Sequence, residues 1–215
     1  MAALIRDMEL NGVIVTLDAL HCQRETAKRL NEAGARYALA LKTNQPSLHD
    51  DVALFMADPA TATTVHIDVD GGHGRIETRL ARVCTNVEWL QAEHDWPGLA
   101  ALGAVERVRE TRTGTVREQQ LYLLGHAFSA AELAALSRGH WGIENRLHWV
   151  LDVSMGEDAC RARRDHAAEN LATLRRLALN AIRRLPGKRS VPLIMLDAML
   201  ETSKLTTLLN LALKS

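Results

Sequence analysis

The densest concentration of reactive side chains in this sequence is His140-Trp-Gly-Ile-Glu144-Asn-Arg146-Leu-His148-Trp-Val-Leu-Asp152. Steps of four residues drift only about 40° around an α-helix, so His140, Glu144 and His148 are expected to line one stripe. Ile143, Leu147, Val150 and Leu151 would form the adjoining apolar face. A Glu between two histidines at this spacing is compatible with an ion-pair ladder, a zinc site or a hydrolytic carboxylate. The H-E-x-x-H zinc motif is absent, because the histidines lie eight apart. A second carboxylate, Asp18, closes the β-branched run Gly12-Val-Ile-Val-Thr-Leu-Asp18. A carboxylate at the end of a buried strand is held rigidly, which suits it to a divalent cation. The same residue could instead form an Asx turn or cap the next helix. Gly71-Gly72-His73-Gly74-Arg75 lacks the Lys-Ser/Thr of a phosphate loop and precedes a strand, so it reads as a hairpin turn. G-x-S-x-G, G-x-G-x-x-G and C-x-x-C motifs do not occur.

The elements that must position these groups are legible from periodicity and turn signals. Residues 12–18 read as a strand behind an Asn11-Gly12 turn, 22–34 as a helix stopped by Gly34, Tyr37–Leu41 as a second buried strand, and 47–57 as another helix. This alternation predicts a parallel α/β sheet, in which functional groups gather at the C-terminal ends of strands; Asp18 and Lys42 both fall there. Residues 65–70, 75–84, 104–111 and 116–124 alternate with period two and predict an antiparallel segment, the first pair turned by Gly71-Gly72. Ser129 and Glu132 form a capping box, and the pattern from there to about Leu185 is helical. The expected division is 1–58, the first part of an α/β core; 59–127, a β-rich insertion; 128–190, the helical part carrying Glu144; and 191–215, an apolar, Leu-rich tail without a functional reading.

With 47% hydrophobic and 24% charged residues, the composition is that of a soluble globular protein and argues against disorder. No apolar run approaches the ~20 residues of a membrane span, and Met1 is not followed by a signal peptide. A non-membrane, cytoplasmic protein is expected. Cys22, Cys84 and Cys160 are widely spaced, which predicts reduced thiols rather than a disulfide or zinc framework. The zero net charge counts against nucleic-acid binding until its distribution is considered. Residues 1–137 hold 13 Lys and Arg against 18 Asp and Glu, whereas 138–189 hold 11 against 6. The basic excess includes Arg161, Arg163, Arg164, Arg175, Arg176, Arg183, Arg184, Lys188 and Arg189, which is either a solvated face or a phosphate-binding surface.

Six segments occur together in an order that resembles one family. They are Gly12–Gln23, Tyr37-Ala-Leu-Ala-Leu-Lys-Thr-Asn-Gln45, Gly72-His-Gly-Arg-Ile-Glu-Thr-Arg79, His140–Val153, Glu157-Asp-Ala-Cys-Arg161 and Ala167–Asn180. Across about residues 10–185 the chain resembles the H-repeat-associated (Rhs-linked) branch of the DDE insertion-sequence transposases. The resemblance implies an RNase H-like catalytic core with a β-rich insertion between its second and third acidic residues. It implies cleavage of DNA at the element ends and joining to target DNA, with Mg²⁺ (Mn²⁺ as a substitute) held by a carboxylate triad. Asp18 matches the second acid and Glu144 the third. Related transposases grip DNA with a Tyr, an Arg and a Lys around that Glu. Here Ser137, His140 and Leu151 stand at those places, so His140, Arg146 and His148 are expected to serve instead, together with Lys42, Arg161, Arg163 and Arg164. The family's first Asp lies in an Asp-Gly-Lys-type strand upstream of Thr16-Leu17-Asp18, and Asp70-Gly71 comes too late to replace it. The expectation is therefore an N-terminally truncated transposase, inactive alone, associated with the bacterial nucleoid and homodimeric in its active complex. The alternative is a non-catalytic DNA- or protein-binding remnant that pairs with or inhibits an intact copy.

Overall fold

The computed structural model describes residues 2–72, 75–187 and 189–213; the side chains of residues 2–4, 72, 75, 144 and 145 lie outside that description. Residues 1–140 form one compact unit and 141–215 a second. The first begins with α1 (Ala2–Asp7) and turns at Gly12, in the left-handed region at φ 72°, into β1 (Ile14–Leu17). A 3₁₀ turn (Ala19–His21) leads to α2 (Arg24–Glu32), which buries Ala27 and Leu30. Gly34, at φ 71°, ends that helix as expected and accepts the Gly12 amide at 2.9 Å. β2 (Arg36–Leu41) follows, then α3 (Pro46–Ala57), whose Pro lies in its first turn, where a missing amide costs nothing.

The middle of the chain supplies β3 (Thr64–Gly72), β4 (Arg75–Cys84), α4 (Glu88–His94), β5 (Ala101–Thr111) and β6 (Gly114–Leu124). Gly71 and Gly72 remain in the ladder, pairing with Ile76 and Arg75 rather than turning the chain. The tip of that hairpin, His73-Gly74, lies outside the described residues.

All six strands form a single mixed sheet in the order β1-β2-β6-β5-β4-β3. β1 and β2 are parallel neighbours, as the alternation of strands and helices predicts, with Leu17 opposite Leu39. β6 pairs antiparallel with both β2 and β5, so the strands of the expected insertion continue the same sheet. One face packs Leu39, Leu41, Leu102 and Leu123 against α2, α3 and α4. The other packs Ala38, Ala81, Val105 and Leu124 against α5 (Ala130–Ile143) through Leu133 and Ala134. The capping box that starts α5 is formed: the Ser129 amide donates to Glu132 Oε2 at 2.8 Å and the Glu132 amide to Ser129 Oγ at 3.2 Å.

In the second unit the chain winds into two π-helical turns (Glu144–His148 and Val150–Ser154), followed by α6 (Ala167–Arg183), α7 (Val191–Leu200) and α8 (Thr202–Leu213). Residues 156–166 are irregular, so the continuous helix expected to about Leu185 is interrupted. Gly156 at φ 63° and Asp165 at φ 48° account for the break, since neither conformation continues a right-handed helix. The apolar tail forms α7 and α8, which pack on each other and on α6. Among the described residues no helix is long and apolar enough to cross a membrane.

A close approach fixes the junction after β6. A Cβ on Gly125 would lie 2.5 Å from Tyr37 Cδ1. The Tyr37 ring is fully buried, and its hydroxyl donates to the Pro97 carbonyl at 2.6 Å, so the ring has no room to move. Gly125→Ala is expected to cost about 1–3 kcal/mol of stability through overpacking, measured by denaturant unfolding. The thiols offer a second check. Burial pushes the Cys22 thiol up to about 12, leaving roughly a thousandfold less thiolate at neutral pH than an exposed thiol carries. Hydrogen bonds from the Ala162 amide and Arg175 hold the Cys160 thiol below its usual value. Alkylation of the native chain is therefore expected at Cys160 first, with Cys22 and the buried Cys84 labelled only on unfolding.

Candidate active site

Asp18 directly follows β1 with extended backbone (φ −73°, ψ 174°) and stands at the N-cap of the 3₁₀ turn, but its side chain makes no capping bond. The capping reading of this residue is thereby set aside. The carboxylate is exposed, and among the described residues it has no hydrogen-bond or ion-pair partner. Because β1 and β2 are parallel, Asp18 and the exposed Lys42 come to the same, C-terminal edge of the sheet.

The loop after β2 fastens the loop after β1. Asn44 Nδ2 donates to the Ala19 carbonyl at 2.7 Å, and Gln45 Nε2 donates to the Cys22 carbonyl at 3.3 Å and to Gln23 Oε1 at 3.2 Å. Asn44 and Gln45 belong to a motif segment in which sequence reasoning gave them no role; here they hold the backbone next to Asp18. Asn44→Ala should cost about 1 kcal/mol and speed amide exchange at residues 19–23, while leaving exchange in β5 unchanged.

From the opposite face of the sheet, α5 reaches the same strand. His140 Nδ1 and Thr16 Oγ1 are 3.2 Å apart, which joins the last turn of α5 to the residue two before Asp18. One turn earlier, Ser137 is buried and accepts the Tyr122 hydroxyl at 3.0 Å, so it points into the core. Position 137, where related transposases present a Tyr, is thus committed to packing.

The remaining predicted residues belong to the second unit. The side chain of Glu144 lies outside the described residues; its backbone begins the first π-helical turn. π-turns bond residue i to i+5 and recur at functional sites. The expected stripe of His140, Glu144 and His148 depends on the Glu144 side chain and so lies outside the described residues. Arg146 and His148 are exposed, and the Arg146 carbonyl accepts Arg183 Nη2. Arg161, Arg163 and Arg164 are exposed too, but they sit in the irregular segment and not on a helix. Arg163 Nη1 donates to the carbonyls of Cys160 and Ala162, both at 2.9 Å. On α6, Arg175 Nε donates to the Met155 carbonyl at 3.1 Å and Arg176 pairs with Glu157 at 3.5 Å. Lys188 lies outside the described residues.

A group the sequence did not single out lies on α3 and α4. Ligand atoms of Asp51, Glu93 and His94 all fall within 4.8 Å of one another, with His94 Nε2 2.7 Å from Asp51 Oδ2. Its imidazole makes it a better match to a transition metal than to Mg²⁺, which prefers oxygen ligands alone. The His94–Asp51 contact also ties the two helices together.

The family pattern described as the transposase DDE domain matches residues 1–181. The chain belongs to this family, the DDE transposases. It is 35% identical over 191 residues to YncI of Escherichia coli O157:H7, which carries a transposase name, with 84% of this chain and 48% of YncI covered. YhhI of Escherichia coli K12, named as an H repeat-associated transposase, is 31% identical over 188 residues, covering 83% of this chain and 50% of YhhI. The chain thus spans about half the length of the curated relatives it matches. The crystal structure of Streptomyces venezuelae DesVI aligns with 61% of this chain and 52% of its own at 16% identity, but its TM-score of 0.26 carries no argument about fold.

Proposed function

We propose that this chain carries the second and third acidic residues of a DDE catalytic triad, Asp18 and Glu144, on an RNase H-like core that works on insertion-sequence ends and target DNA. The observation that supports this most is the Thr16–His140 contact. It binds the end of α5 to the strand that closes on Asp18, and Glu144 follows His140 by four residues.

The Asp18 carboxylate suits a hard divalent cation: it is an oxygen donor on a rigid strand end, and no described cationic side chain neutralises it. Asp18 and Glu144 would hold Mg²⁺, or Mn²⁺ in its place. When bound, the ions would supply activation of the attacking oxygen and neutralisation of the leaving one. The chain's own residues then bind and orient the DNA. Lys42 stands at the Asp18 edge, while Arg146, His148, Arg161 and Arg164 present exposed donors to phosphate. His140 takes a positioning role through Thr16. The 215 residues by themselves hold two of the triad's three acids and are proposed not to cleave or join DNA.

Phosphate contacts release counterions, so affinity should fall steeply with salt. Titrating duplex DNA between about 50 and 200 mM salt should show this dependence. Replacing Arg161 or Arg164 by Ala should flatten the logarithmic slope by about 1 per contact removed. Salt-independent affinity, or no binding at low salt, would return the basic segment to a solvated face.

A further inference from the structure

The outer edge of the sheet is built as though to continue. Among the described residues β3 bonds only to β4, which leaves its other edge open along Thr64–Gly72. Val65, Ile67 and Val69 project from one face of this strand and are 55%, 60% and 63% exposed. Ile76 on β4 adds to the same face at 49%. His66, Asp68 and Asp70 project from the other face. An open edge with an apolar row is a template for pairing with another strand, and proteins that keep such edges single guard them with charge. Here the most central charge, Asp68, is already bridged by Arg138 of α5.

We propose that β3 pairs antiparallel with β3 of a second copy of this chain, about a two-fold axis at Ile67. The strand's self-complementarity selects the occupant, and avoidance of directly opposed carboxylates selects the register. Residues opposite each other in such a pair share a face, so the two-fold axis must lie midway between the two copies of one residue, and the numbers of opposed residues have a constant even sum. Centring on Asp68, the middle of β3, would set Asp68 against its own copy, and like charges directly opposed are destabilising. Centring on Ile67 sets His66 against Asp68 of the other copy, twice, and Thr64 against Asp70. On the apolar face it sets Val65 against Val69 and Ile67 against Ile67. Every opposed pair over 64–70 is then apolar or of compatible polarity. The interface is isologous, as closed dimers require, and it stands independently of the proposed function.

Sedimentation equilibrium of the full chain, with short bismaleimide cross-linking in a Cys160→Ser background, tests this. The expected result is a dimer in which Ile67→Cys cross-links to itself. Val65→Cys or Val69→Cys alone should not, because those positions lie four residues, about 13 Å, from their own copies along the strand. An equimolar mixture of the two single variants should cross-link. His66→Asp, which opposes Asp to Asp and leaves the Asp68–Arg138 bridge in place, should weaken the dimer at least tenfold with an unchanged circular-dichroism spectrum. A monomeric chain would overturn the proposal, including one whose β3 edge is taken up by another segment or protein. So would a dimer indifferent to His66→Asp, or one cross-linking at 65 or 69 alone in preference to 67.

Discussion

Given pre-cut insertion-sequence ends, target DNA and Mg²⁺ or Mn²⁺, the purified 215-residue chain is expected to yield no strand-transfer product above background. Asp18 and Glu144 provide two carboxylates, and the family resemblance assigns the bridging position to a further Asp in an Asp-Gly-Lys-type strand. Without that ligand the attacking and leaving oxygens are not clamped together, and such a clamp contributes several kcal/mol of transition-state stabilisation. At 1.36 kcal/mol per tenfold, the loss is on the order of a thousandfold or more in rate. The control is the Glu144→Gln variant of the same chain. Robust metal-dependent joining by the parent and not by the variant would show that another acid within these residues completes the site.

The second large effect falls on stability. Trp96, between α4 and β5, is 1% exposed and heads the largest fully buried side chains. Trp96→Ala should cost about 3–5 kcal/mol, from lost burial and the cavity left behind. Against a total stability of roughly 5–15 kcal/mol, that should lower the melting temperature of the first unit by on the order of 10 °C. Trp149→Ala, at a position 57% exposed, should change stability by far less. Equal losses in the two variants, read by calorimetry, would mean that the core is not centred between the sheet and the α2–α4 layer.

Which features were legible in the sequence follows from the range of the forces that set them. The parallel pair β1 and β2, the two hairpins and the Ser129–Glu132 cap are written in local patterns of β-branched runs, two-residue alternation and a three-residue capping interval. α4 escaped notice because its seven residues are too few for helical periodicity to emerge; burial of Leu90 and the neighbouring Trp96 holds it in place. The joining of β6 to β2, with Ala38 opposite Leu124, is a long-range pairing that no local window contains. For the candidate site, Asp18 was identifiable as a strand end, but its freedom from a capping bond and the Asn44 and Gln45 contacts depend on two loops that meet only in the fold. The π-turns from Glu144 had no sequence mark, since the spacing there reads as an ordinary α-helix. Gly156 was a visible stop signal for the helix read through it, whereas the left-handed Asp165 had no sequence mark.

Iron-directed cleavage tests most directly whether Asp18 and Glu144 together hold the divalent cation. Fe²⁺ substituted for Mg²⁺, with ascorbate and peroxide, generates radicals that cut the backbone beside the bound ion. The account predicts cuts near residue 18 and near residue 144, both suppressed by Mg²⁺ in excess, and both lost in Asp18→Asn and in Glu144→Gln. Cuts confined to the neighbourhood of Asp51, Glu93 and His94, persisting in both variants, would contradict it.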